Sequence, residues 1–318
     1  MTIEEMDQVD QREVDRRVRN YRLQKYLGWA GFALVAAHLL YMLLAVAPLY
    51  YWVGFYGRTM TDICLLIAHF ALLLVLALTA RGADRWIYSA LQTACDPFLF
   101  EACVYHMGFC GNSNLKQLNL AVAQYYQGSF RQAMDTVMHT DPSSFKKTNR
   151  LNYYIIKSAL FFRFGEKEQV SGLENEFQRR ISGREDQKNM RILCAVNNLK
   201  RARENGDLEF AWKFFWEYLA LADRGSQEQW AKVSRAWQAG LLEEESGSDT
   251  AARSAYAYVE AHGNRLMFVR DARRYLHPEE AVQAEHQPGP QPVPDDREKE
   301  GEKKDGGTEA SGEGEGQL

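Results

Sequence analysis

The chain has 318 residues, with 38 lysines and arginines against 42 aspartates and glutamates, for a net charge of −4. This balance excludes a strongly basic protein that binds nucleic acid through its charge, so no nucleic-acid partner is expected. The five cysteines are too sparse for a disulfide framework, and their odd number favours reduced thiols in the cytosol.

Residues 1–26 form a charged segment that precedes the first apolar stretch. Its acids lie early and its arginines late, an order that suits a helix dipole. Val14, Val18 and Tyr21 belong to a weak helical stripe of apolar residues. Two interpretations stay open: the helix extends the following span, or it lies at the membrane surface with its arginines on anionic lipid, each worth about 1 kcal/mol.

Two apolar stretches follow, Leu27–Ala47 and Ile63–Ala80, and neither contains a charged residue. Each is long enough to cross roughly 30 Å of hydrocarbon as a helix. In lipid the backbone polar groups must be satisfied within the segment, which favours helix. Residues 27–80 are therefore predicted to be a two-span transmembrane hairpin, with residues 12–80 in contact with lipid.

The basic residues predict the orientation of this hairpin. Six lysines and arginines precede the first span, whereas the loop 48–62 carries only Arg58. The positive-inside rule therefore places both termini in the cytoplasm, as in a multi-pass inner-membrane protein of the bacterial type. The alternative is a signal peptide cleaved after Ala47. It is disfavoured because the first apolar run exceeds the usual h-region of roughly 7–15 residues and a second span follows.

The rest of the chain divides by composition. Residues 81–97 predict a connector helix at the membrane surface, ended by Asp96 and Pro97. Residues 98–277 have a helical pattern almost throughout. Residues 278–318 are rich in proline, glycine and acids. From residue 279 onward there are twelve acids and four bases, a local charge of −8, and this tail is predicted to be disordered.

Four glycines recur within residues 98–277, at spacings of 37, 41 and 41 residues. Each separates two helical segments, and a small or β-branched residue follows five positions later. Glycine permits a positive φ where a helix stops, and a small residue lets two helices approach closely. Asp207 and Asp249 are candidate N-caps for the second helices. The glycines and their followers are Gly128 with Ala133, Gly165 with Val170, Gly206 with Ala211, and Gly247 with Ala252.

This pattern resembles the tetratricopeptide repeat family, which has a glycine at the turn, an aromatic residue or leucine two positions on, and an alanine three further. Gly128, Phe130 and Ala133 match it, as do Gly206, Leu208 and Ala211, whereas the units at Gly165 and Gly247 match in part. The spacings exceed the family's roughly 34 residues. The resemblance implies an all-α protein with an α-solenoid over about residues 112–262. The alternative is an irregular helical bundle.

His38 and His69 are the most suggestive candidates for chemistry. Both lie about 16 Å deep in the predicted spans, near the bilayer midplane. Two histidines at one depth could ligate a haem or relay protons. The favoured interpretation is a neutral hydrogen bond between the helices, worth roughly 0.6–2 kcal/mol.

Two weaker candidate sites remain. Cys103, His106 and Cys110 share one helical face, but glycines interrupt it and a fourth ligand for zinc is missing, so packing is favoured. Phe214, Phe215 and Trp216 are consecutive and cannot all face one core. At least one of these aromatics is expected to face a neighbouring repeat, the membrane or a partner.

The sequence thus predicts a non-catalytic, membrane-anchored cytoplasmic scaffold that binds a protein partner through helical repeats, without a cofactor. One alternative is a haem-binding or proton-relay hairpin with a regulatory repeat domain. Another is an accessory subunit of a secretion or envelope-assembly complex. Fold-level analogy carries the scaffold hypothesis.

Overall fold

The computed structural model describes residues 9–42, 44, 59–107, 113–222 and 228–279, and only the backbone of 59–63. Within these ranges every regular element is helical and no strand is present, which confirms the all-α class. The predicted outer turn and almost all of the predicted acidic tail lie outside the described residues. The helices are α1 (Gln11–Tyr41), α2 (Thr59–Gly82), α3 (Arg85–Gln92), α4 (Pro97–His106), α5 (Ser113–Gln127), α6 (Phe130–Met138), α7 (Lys147–Arg163), α8 (Lys167–Arg179), α9 (Arg184–Glu204), α10 (Leu208–Leu221), α11 (Gln229–Glu245), α12 (Asp249–His262) and α13 (Met267–Leu276).

Helix α2 contains the one described segment, Cys64–Gly82, that is long and apolar enough to cross a membrane. Nearly all of this segment is exposed on the isolated protein. A membrane would cover such an apolar surface. The first predicted span continues beyond α1 into residues that are mostly outside the described ranges, so the two-span hairpin remains a prediction.

Helices α1 and α2 pack against each other over a close approach at two glycines. A Cβ atom added to Gly28 would lie 2.7 Å from Cβ of Ala80, and one added to Gly31 would lie 3.0 Å from Cδ2 of Leu76. Small residues of this kind let helix backbones come together where lipid provides no hydrophobic drive. The two helices therefore form a tight pair whatever surrounds them.

The amino-terminal half of α1 packs on the helical domain. Val14, Val18 and Tyr21 are buried in one core with residues of α3 and α4, including Ile87 and Val104. The apolar stripe predicted from the sequence thus faces protein. The same helix continues to Tyr41 without a break, so it connects the domain directly to the apolar pair.

Four helical hairpins follow, α5–α6, α7–α8, α9–α10 and α11–α12, each with a glycine at its turn. Gly128, Gly165, Gly206 and Gly247 all have positive φ, between 72° and 89°. The residues five positions later, Ala133, Val170, Ala211 and Ala252, are all fully buried. Each hairpin therefore uses glycine where the backbone turns left-handed and a small or β-branched side chain where its helices meet.

The caps of two second helices differ. The Asp207 carboxylate accepts a hydrogen bond from the backbone N–H of Phe210, as expected of an N-cap. The same expectation for Asp249 is wrong, because Ser248 takes the N-cap position and Asp249 is the first helical residue. The Asp249 carboxylate instead accepts hydrogen bonds from Arg253 and from the Tyr275 hydroxyl.

The array of hairpins closes on itself. Helix α13 contacts α5, and α11 contacts α3, so the last helices meet the first ones. Aromatic rings fill this junction: Tyr126 lies edge-on to Trp230 and to Phe268, and Trp237 stacks on Phe268 at 4.3 Å between centroids. An open array would leave its ends apart, whereas this closure surrounds a central space.

Candidate binding cavity

A cavity of about 890 Å³ lies inside the closed array. Its wall is built mainly from the first helices of the hairpins, α5, α7, α9 and α11, together with α3 and α13. The second helices pack outside, and Phe130 and Tyr218 are their contributions to the wall. The volume falls within the range of about 300–1,000 Å³ that is usual for ligand pockets.

Aromatic side chains form one side of the cavity wall. Tyr125, Tyr126, Trp230 and Trp237 all line it and belong to the junction between α5, α11 and α13. The burial of Tyr126 raises the pKa of its hydroxyl well above the ordinary value. Buried aromatic rings offer a large contact area. Aromatic residues are also common among the residues that contribute most of the energy at binding interfaces.

Basic side chains line the cavity close to these rings, since α13 carries residues of both kinds and Arg163 lies over Phe130, whose ring contacts Tyr125. Arg163 of α7, Lys200 of α9, and Arg270 and Arg274 of α13 line the cavity. Asp271 lies among the three arginines; burial raises the pKa of its carboxyl, and the charges of Arg274, Arg270 and Arg163 oppose that rise. Arginines from two helices, α7 and α13, are therefore gathered around one carboxylate, while Lys200 lies near Arg203 and Glu204.

Other charges in the wall are already paired. The Arg203 guanidinium donates to both carboxylate oxygens of Glu245, at 3.1 and 3.2 Å from Nε. Glu204 also lines the cavity, and its carboxylate pairs with Lys167 of α8 at 2.8 Å. These pairs link neighbouring hairpins, and the five basic residues of the lining still exceed its three acids by two.

Lys200 is the most perturbed of these groups. The pKa of its ammonium is lowered from 10.5 to about 8, mainly by burial and also by the charge of Arg203, while the charge of Glu204 acts in the opposite direction. The ammonium lies 5.5 Å from the centre of the Phe162 ring. A lysine that is costly to charge in the wall of a cavity is a candidate for function.

His38 and His69 are brought together by the packing of α1 and α2. Nδ1 of His38 lies 2.8 Å from Nε2 of His69, and Nδ1 of His69 lies 2.8 Å from the Leu65 carbonyl oxygen. The carbonyl only accepts, so a neutral His69 donates from Nδ1 and accepts at Nε2 from His38. A metal between two imidazole nitrogens needs about 2 Å to each. The pair as arranged does not fit a haem iron between the rings.

Two of the three cysteine and histidine candidates, Cys103 and His106, lie within the described residues. Cys103 is fully buried and burial raises the pKa of its thiol to about 11, whereas His106 is exposed and Cys110 lies outside the described residues. Zinc requires thiolates, and a raised pKa opposes them. Among the described residues no group of three or more metal-ligating side chains occurs.

The three consecutive aromatics of α10 point in different directions. Phe215 is buried, Phe214 is part-buried, and Trp216 is 61 % exposed. The Trp216 ring stacks on Trp212 with centroids 6.1 Å apart. None of the three lines the cavity. The aromatics predicted from the sequence to contact a partner therefore do not line the cavity, whereas Tyr218 of the same helix does.

The basic residues that line the cavity were not predicted from the sequence. Two of them lie close to turn glycines, since Arg163 is two residues before Gly165 and Lys200 is six residues before Gly206. A basic residue in the last turn of a helix, as Arg163 is in α7, also suits the helix dipole, which makes that position an ambiguous signal. Arg270 and Arg274 carried no such signal, because their approach depends on closure of the array.

Comparison with known proteins gives no match: no family model, no curated protein and no solved structure is similar to this chain.

Proposed function

We propose that this protein is a membrane-anchored scaffold that binds a segment of a partner protein inside its closed array of tetratricopeptide-like hairpins. The observation that carries the proposal is the 890 Å³ cavity lined by the first helices of successive hairpins. A concave surface built from repeated helices suits an extended or helical segment of another chain. No catalytic constellation is needed for this role.

The membrane anchor in this proposal is the pair α1 and α2, with the arginine-bearing end of α1 in the cytoplasm. Exposed apolar side chains on both helices support it, among them Leu34, Phe70 and Leu74. Since α1 runs unbroken into the core of the helical domain, the anchor holds the cavity at a fixed distance from the bilayer. Tethering raises the effective concentration of the cavity for partners at the membrane.

A photo-crosslinking amino acid tests where the partner binds. Ile155 of α7 lines the cavity, whereas Glu168 of α8 is exposed and does not line it. We expect a crosslinker at position 155 to capture one protein at defined stoichiometry in native membranes, and a crosslinker at 168 to capture none. Equal capture at both positions would rule out recognition inside the array.

A space-filling variant provides the second arm of the test. Ser234 lines the cavity and Ser254 is exposed on α12. We expect Ser234→Tyr to abolish the crosslink at position 155 and the matched Ser254→Tyr to preserve it. Replacing α1–α2 beyond Leu23 with an unrelated hairpin should also preserve it, because the helical domain is the recognition element.

A further inference from the structure

The charge in the cavity is unbalanced in a way that indicates the chemistry of its occupant. Within the described residues, Arg163, Lys200 and Arg274 form no ion pair closer than 4 Å, and Arg270 donates to the Gln127 carbonyl oxygen at 2.8 Å. Asp271 is the carboxylate set among the three arginines, whereas Glu204 is the acid that acts on Lys200. The cavity lining as a whole has five basic residues, with Arg203, against three acids, Glu204, Glu245 and Asp271, which is an excess of two positive charges.

Two of these cations are held by the walls. The Arg163 guanidinium lies 4.8 Å from the centre of the Phe130 ring, and Lys200 lies over Phe162. Cation–π contacts fix the direction of a long side chain without neutralising its charge. Arg163 and Lys200 are therefore held in place without a neutralising partner, and both can still pair with an anion.

The free-energy cost of charging Lys200 also favours an anionic occupant. Burial and Arg203 both disfavour its ammonium in the free protein. An anion bound beside it would reverse that balance, because an opposite charge within about 4–6 Å favours the charged form. An anionic occupant would therefore relieve the penalty that burial imposes on the Lys200 ammonium.

We propose that the segment bound in the cavity is acidic, a stretch of a partner protein whose aspartates and glutamates pair with Arg163, Lys200 and Arg274. The inference rests on the proposed function. The aromatic side, with Tyr126 and Trp230, contacts apolar residues between the acids. Charge complementarity of this kind selects the partner and speeds its association.

The test uses the full chain in lipid nanodiscs and three fluorescent peptides of one length, (Glu-Ser-Leu)4, (Gln-Ser-Leu)4 and (Lys-Ser-Leu)4. Anisotropy titrations at low salt should show the glutamate peptide binding at least about tenfold more tightly than the glutamine peptide, with the lysine peptide weakest. Raising the salt to about 0.5 M should remove most of the difference. Equal affinities for the glutamate and glutamine peptides would overturn the inference.

Matched variants place the effect in the cavity. Arg163→Gln with Lys200→Gln removes two cations from the wall and should weaken the glutamate peptide by about tenfold. Arg131→Gln with Lys213→Gln removes two exposed cations from the outer helices α6 and α10 and should leave affinity unchanged. Equal losses in both double variants would show attraction by overall charge and contradict a cavity site.

The outcomes separate this inference from the scaffold proposal. If the partner crosslinks at position 155 but the peptides bind without preference for acid, the scaffold stands and the acidic occupant is rejected. If no peptide binds at all, the acidic occupant is likewise rejected. If a single-stranded oligonucleotide binds more tightly than the glutamate peptide and Ser234→Tyr blocks it, the cavity takes nucleic acid and both proposals fail.

Discussion

Arg265 pairs with Asp96 across 169 positions of sequence, with Nη1 lying 3.4 Å from Oδ2. The Arg265 guanidinium also lies 4.4 Å from the centre of the Phe98 ring, and Nδ2 of Asn264 donates to the Ala94 carbonyl oxygen at 2.7 Å. These contacts join the turn before α13 to the turn before α4. They form a latch between the last part of the array and the segment that follows α3.

Breaking this latch should destabilise the closed array. Arg265→Met leaves the mostly buried Asp96 without its charge partner, at a cost of about 3 kcal/mol. We expect a lower denaturation midpoint in detergent and faster hydrogen exchange at residues 94–98. The control is Arg253→Met, which removes an exposed pair with Asp249 and should change little. Unchanged exchange at 94–98 in Arg265→Met would contradict a latch.

Lys200→Met should stabilise the protein at pH 7. The lowered pKa of Lys200 means that the unfolded chain binds a proton more readily than the folded chain between about pH 8 and 10.5. The native protein therefore gains stability as the pH rises through that window, and at pH 7 it bears the full cost. After allowance for solvent around the part-buried side chain, the gain from methionine is about 1–2 kcal/mol.

The measurement for Lys200→Met is the denaturation midpoint of both proteins at pH 7 and pH 10. The advantage of the variant should shrink at the higher pH, since the native lysine is then neutral in the folded state. Lys213→Met on the outside of α10 serves as the control and should show no such pH dependence. A variant less stable than the native protein at pH 7 would mean that Lys200 is not penalised.

Gly28→Val should separate α1 from α2. The added Cβ would lie 2.7 Å from Cβ of Ala80 and 2.9 Å from its Cα, and backbone cannot yield as a flexible side chain can. Overpacking of this kind costs about 1–3 kcal/mol. Gly172→Val on α8 has no atom within 4 Å of the new Cβ and is the matched control. Thermal denaturation in detergent should show a loss for the first variant only.

The turn glycines allow strain to be measured without a steric clash. Gly206 has φ of 72° and no atom within 4 Å of an added Cβ, so Gly206→Ala should cost about 1–2 kcal/mol through backbone conformation alone. Gly206→Asn should cost less, because asparagine tolerates the left-handed region. If alanine and asparagine lowered the denaturation midpoint equally, positive φ would not be the reason for glycine there.

His38 and His69 should behave as a hydrogen-bonded pair. A double-mutant cycle with phenylalanine at each position should give a coupling of about 0.6 kcal/mol and not more than about 2. The purified native protein should lack a haem absorbance band, because the two nitrogens are 2.8 Å apart. A Soret band lost in both single variants would show instead that the rings separate to hold iron.

Local features of the fold were readable from the sequence because they depend on neighbouring residues. A glycine with positive φ, a small residue where two helices meet and an aspartate at an N-cap act within one hairpin, as at Gly206, Ala211 and Asp207. The apolar stretch of α2 is equally local, since its composition alone sets its length and hydropathy. The N-cap of α12 was predicted one position too late, because Ser248 and not Asp249 occupies it.

Only the tertiary structure brought Arg163, Lys200 and Arg274 to one cavity. They belong to three helices, and their convergence depends on the rotation from each hairpin to the next, which no single segment encodes. Closure through Tyr126, Trp230 and Phe268 likewise joins positions more than 100 residues apart. The sequence by itself determined the helices, their turns and the apolar segment of α2. The packing of each hairpin on the next decided that the array closes and that basic residues outnumber acids in the cavity lining, because small rotations between neighbouring hairpins add up along the chain.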